Sequence, residues 1–71
     1  MEYDYSKLKG RIIEKCGSQK AFAQAENISE NSLSAKLGNK REWTQDEIKK
    51  SIDILEIRPE EIGQYFFCVI G

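Results

Sequence analysis

Tyr5, Leu8, Ile12 and Cys16 recur at i, i+3, i+7 and i+11, the spacing of one helix face. Asp4 is placed to cap that helix, and Gly17 to stop it in the left-handed conformation. Ser18 then opens a second short helix that turns Phe22 and Ala23 inward, and Asn27 ends it, because Asn tolerates positive φ. Ser29 opens a third, with Leu33 and Leu37 one turn apart, and Gly38 closes it. Thr44-Gln45-Asp46-Glu47 has the form of a capping box and starts a fourth helix with Ile48, Ile52 and Leu55 on one face. Pro59, followed by Glu60 and Glu61, suits the first positions of one last turn running through Gln64.

After Gln64 the pattern changes. Tyr65-Phe66-Phe67-Cys68-Val69-Ile70 is aromatic and β-branched and reads as an extended, packed segment. In a strand, Tyr65, Phe67 and Val69 would share one face and Phe66, Cys68 and Ile70 the other. One face is expected against the first and fourth helices near Leu8 and Ile52. The other is expected to meet a second copy or a partner protein. The whole pattern is all-α with a short extended C-terminal tail, and no linker or repeat divides residues 1–71, which read as a single domain.

Composition narrows the chemistry. The chain has 71 residues, 39% hydrophobic and 32% charged, so its core is thin for a folded domain. It has no His, and its two cysteines, Cys16 and Cys68, are far apart. That argues against His-based catalysis, a thiolate metal cage and a disulfide scaffold, and no cofactor or metal is expected. Glu60-Glu61 has no nucleophile or base beside it, so an enzyme is not expected. Two cysteines and an acidic, aromatic N-terminus fit a cytoplasmic protein without a signal peptide. No run approaches the ~18 apolar residues of a membrane span. Net charge is −1 but uneven: Met1–Arg41 holds eight Lys/Arg against five Asp/Glu, and Glu42–Gly71 three against seven. A basic front and an acidic back suit a one-sided binder.

The string Ser18 to Ser34 has the logic of a helix-turn-helix. Ala23 lets a second helix cross closely, Asn27 turns the chain, Ile28 plugs the gap, and Ser29 opens a helix with a polar first turn. Ser18, Gln19, Phe22, Ala23, Ile28, Ser29, Leu33 and Ser34 resemble the Cro/repressor-type helix-turn-helix family of phage and bacterial regulators. Tyr3-Asp4-Tyr5-Ser6-Lys7-Leu8, Ser34-Ala35-Lys36-Leu37 and Glu61-Ile62-Gly63-Gln64-Tyr65-Phe66-Phe67 are similar to small prophage regulators of Gram-positive bacteria. The resemblance implies a lambda-repressor-like domain of five short helices, without cofactor, in a lysogenic/lytic switch. It departs from the family at Asn27, usually Gly, and at Glu26, usually apolar.

What the resemblance implies for function is operator binding, with the third helix in the major groove of double-stranded DNA. The DNA-facing set is then Gln19, Lys20, Glu30, Asn31, Ser32, Ala35, Lys36, Lys40 and Arg41. Asn31 can bond adenine bidentately, while Lys36, Lys40 and Arg41 can neutralise phosphates. The plainer alternative is a solvated polar surface; for Ser32 the two readings weigh equally. Lys49-Lys50 reads as a solvated face, Trp43 as a lid over the core, Cys16 as a core residue and Cys68 as a strand residue. Glu26 and Glu30 place acid where phosphate would lie, which suits a second function: a modulator or antirepressor that docks on a partner phage repressor and masks its DNA-reading surface. A toxin–antitoxin antidote is a third reading, and a homodimer is compatible with all three.

Overall fold

The computed structural model of the chain describes residues 2–70. Five helices form in the order the apolar spacing predicts: α1 (Ser6–Cys16), α2 (Gln19–Glu26), α3 (Glu30–Leu37), α4 (Gln45–Leu55) and α5 (Ile62–Phe66), the last preceded by a 3₁₀ turn, Pro59–Glu61. Side-chain caps begin three of them. Ser18 Oγ accepts from Ala21 N–H at 3.0 Å, Ser29 Oγ from Ser32 N–H at 3.1 Å, and Thr44 and Glu47 close both arms of the capping box. Gly17 (φ 86°) and Asn27 (φ 64°) take the left-handed conformation at the ends of α1 and α2.

α1 packs against α2, α4 and α5, and α2 also meets α3 and α4. The core is Tyr5, Leu8, Ile12, Phe22, Ala23, Leu33, Leu37, Leu55, Ile57, Tyr65 and Phe66. Cys16, Ile28, Trp43, Ile48 and Ile52 are partly buried against it. Trp43 lies edge-on to Phe66 (5.3 Å between centroids) and to Tyr5 (6.4 Å), so it does cover the core. Among the described residues, no helix is long and apolar enough to cross a membrane.

Two local expectations change. Tyr5, not Asp4, is the cap position of α1; Asp4 still contributes, its Oδ1 accepting from Ser6 N–H at 2.9 Å. Gly38 closes α3 as expected, with φ −92°, and the left-handed residue of the following loop is Asn39 at φ 64°. The Asn39 amide binds the N-terminal segment: Oδ1 accepts from Tyr3 N–H and Nδ2 donates to Tyr3 C=O, both at 2.9 Å. One side chain thus ties the N-terminal segment to the loop after α3.

The second change is the tail. Tyr65 and Phe66 are both buried and close α5, so the extended segment starts later than the β-branched pattern suggests. In a strand, neighbours point to opposite faces, whereas in a helix they are about 100° apart and both can reach one core. The remaining tail makes one antiparallel bridge, Tyr3 to Val69, and no strand forms among the described residues. Cys68 is exposed beside that bridge rather than within a strand.

Asn39→Ala should lower stability by roughly 1–3 kcal/mol, since it removes two hydrogen bonds worth about 0.5–1.5 kcal/mol each. Urea unfolding checks this, and a midpoint equal to wild type would mean that the Tyr3 tether contributes nothing.

Candidate functional site

The α2–α3 pair presents the polar surface singled out by the sequence. Ile28 N–H donates to Ala23 C=O at 2.9 Å, closing the turn, and Ala23 is buried where the helices approach. Outward from α3 stand Glu30, Asn31 and Ser34, with Ser32 and Ala35 half-buried beside them. Gln19 and Lys20 are exposed on the first turn of α2. Lys40 and Arg41 are exposed after α3, and Arg41 Nη1 donates to Ser32 Oγ at 3.2 Å. Eight of the nine expected contact residues therefore remain wholly or partly accessible.

Lys36 does not. It is 5% exposed; its Nζ is 2.8 Å from Glu47 Oε1, donates to Glu42 C=O at 3.1 Å and lies 5.9 Å from the centre of the Trp43 ring. It cannot hold a phosphate from there, which corrects the sequence expectation. The cause is helical geometry. Lys36 is three residues after Leu33 and next to Leu37, so the buried face carries it inward. There α4 supplies the countercharge. Burial pushes the Glu47 carboxyl up, but the Lys36 ammonium and the Thr44 N–H outweigh it and hold the group below its ordinary value.

Glu26 also turns inward. It is 1% exposed and hydrogen-bonded to Ser51, another fully buried polar residue. Ser51 Oγ also donates to Glu47 C=O at 2.8 Å. The Ser51 hydroxyl has one proton, so Glu26 and the Glu47 carbonyl compete for the same donor. Burial drives the Glu26 carboxyl above its ordinary value and the nearby Glu47 charge adds to this, against the Ser51 hydrogen bond and the charges of Lys50 and Lys36. Buried as it is, Glu26 offers no acid to a groove, and among the described residues Glu30 is the surface acid of α3.

A raised carboxyl pKa means that the folded state keeps a proton the unfolded chain releases. The associated stability is full below the ordinary value of 4.5 and is lost as pH rises through the raised one. Glu26→Gln keeps an acceptor for the Ser51 hydroxyl and removes the titration. It should melt higher than wild type at neutral and alkaline pH, with a flatter profile of Tm against pH. Parallel profiles for the two proteins would show that Glu26 does not titrate abnormally.

Beside the polar face is a half-open hollow of about 500 Å³ whose wall includes Tyr3, Trp43, Phe66 and Phe67, with Lys40 and Arg41 at its edge. Among the described residues, no three His, Cys, Asp or Glu side chains converge as metal ligands. Sequence reasoning missed Asn39, Ser51 and Ile57. For Ile57 the signal is available, since an isolated apolar residue just past a helix end commonly packs back on the last turn; Ile57 N–H donates to Ile52 C=O at 3.0 Å.

A family described as a protein of unknown function, DUF739, matches residues 1–68. The chain belongs to the DUF739 family. The matching model is not one of the Cro/repressor-type family, whose resemblance rests on the residue pattern quoted above. Among solved structures, the DUF739 chain is similar to the modulator of repression of the temperate bacteriophage TP901-1 from Lactococcus lactis, determined in solution. The two share 51% identity and a TM-score of 0.80, over 94% of this chain and 90% of that one. No curated protein sequence matches the chain.

Proposed function

We propose that this protein is a phage modulator of repression, acting by protein–protein contact on a repressor rather than by binding operator DNA itself. The observation that carries the reading is the 51% identity, across nearly the whole chain, to a modulator of repression. The surface supports it. With Lys36 paired internally, the cations left around α2–α3 are Lys20, Lys40 and Arg41, and Glu30 stands on the exposed face of α3. A net charge of −1 also disfavours a phosphate-dominated interface. The α2–α3 face would dock on the repressor's DNA-binding domain and mask its reading surface, a regulatory role without catalysis.

Ser34→Trp tests the docking face. Ser34 is exposed, so a bulky side chain there should leave Tm unchanged while blocking a flush contact. Calorimetric titration with the repressor of the same phage element should show a complex with wild type and at least a tenfold weaker one with Ser34→Trp. Equal affinity would move the interface elsewhere. A direct DNA binder using Lys20, Lys40 and Arg41 would instead lose DNA affinity with a log–log salt slope of roughly −3.

A further inference from the structure

The end of the chain carries an open hydrogen-bonding edge. Asp4 N–H donates to Cys68 C=O at 2.6 Å and Ile70 N–H to Glu2 C=O at 3.0 Å. These bonds flank Tyr3 and Val69, making them the pair whose own N–H and C=O groups point away from each other. On the Tyr3 side both groups are taken by the Asn39 amide. On the Val69 side neither finds a partner among the described residues. The side chains around this edge are also open: Phe67 is 53% exposed, Val69 48% and Ile70 54%.

Sheet edges are ordinarily guarded by charge, proline or a covering element. Phe67-Cys68-Val69-Ile70 has neither charge nor proline, and no element covers the Val69 edge among the described residues. We infer that this edge is a self-association surface, on which Val69 pairs antiparallel with Val69 of a second copy about a two-fold axis.

The occupant follows from complementarity. The free edge requires an extended, uncharged segment offering one acceptor and one donor at matching spacing. The chain's own 68–70 segment has all of these. Paired antiparallel about Val69, each Val69 N–H meets the other copy's Val69 C=O, so both free groups are satisfied on both copies and the contact closes as a dimer. In that register Cys68 lies opposite Ile70 of the second copy, and the reverse, so Ile70 is covered on one face and Val69 on the other. The four paired segments would run 2–4, 68–70, 68–70, 2–4. Such a contact is smaller than the ~1,600 Å² of a standard interface, so the dimer is transient and driven by concentration.

Sedimentation of the full chain at increasing concentration, up to roughly 1 mM, tests this. The weight-average mass is expected to rise from the 8.2 kDa of one chain toward twice that value. Val69→Pro deletes the free N–H without removing any bond made within the chain, and should hold the mass at one chain with Tm unchanged. If Val69→Pro melts lower, Val69→Lys answers the same question, because it keeps the N–H and sets two like charges opposite each other at the two-fold axis. A wild type that stays at one chain throughout overturns the inference, as does association that persists equally in the variants.

Discussion

Phe66→Ala is expected to remove roughly 3–5 kcal/mol of stability, the cost of emptying a fully buried aromatic site. At roughly 0.05–0.15 kcal/mol per residue, a chain of this length has only about 4–11 kcal/mol in total. The variant should therefore melt roughly 15–30 °C lower, and a large part of it should be unfolded at physiological temperature. Phe67→Ala, one residue on but 53% exposed, should change stability by less than about 1 kcal/mol. The contrast tests where the last helix ends. Phe66 contacts the Trp43 edge only because α5 continues to that residue. Comparable losses at Phe66 and Phe67 in thermal melts would contradict the helical assignment.

Lys36→Ala is the second large effect. Removing one partner of a buried ion pair leaves Glu47 uncompensated, a loss of about 3–5 kcal/mol. The double variant Lys36→Met, Glu47→Gln removes both charges while Gln keeps an acceptor for Thr44 N–H, now 2.9 Å from Glu47 Oε1. It should recover most of the lost stability, as buried pairs are commonly replaceable by uncharged groups. Denaturant midpoints for the single and double variants check this. A Lys36→Ala midpoint equal to that of wild type would return Lys36 to the surface and to the set of possible phosphate contacts.

The fold was legible because its signals are local. Ser18, Ser29 and Thr44 cap helices through bonds to residues three positions away, and Gly17 and Asn27 stop helices through their own φ. The tail was less so, because Tyr65 and Phe66 have strand-like propensity and only packing against α1 and Trp43 makes them helical. The polar surface was legible in part. Asn31 and Ser34 are exposed as α3 periodicity requires, and the same periodicity applied to Lys36 would have placed it inside with Leu33 and Leu37. Glu26 shares its face with Phe22 and Ala23, yet its burial becomes intelligible only with Ser51, 25 residues away, in place. Asn39 is likewise a contact across 36 residues, which no spacing rule encodes.

The central claim is that the protein acts on a repressor and not on DNA. Fluorescence anisotropy of labelled operator, bound by the repressor of the same phage element and titrated with this chain, tests it most directly. The account predicts that anisotropy falls to the free-DNA value as the chain saturates the repressor, and that the chain alone, even at low salt, leaves the operator signal unchanged. A rise in anisotropy with the chain alone, or a repressor that stays on its operator at saturating chain, would contradict it.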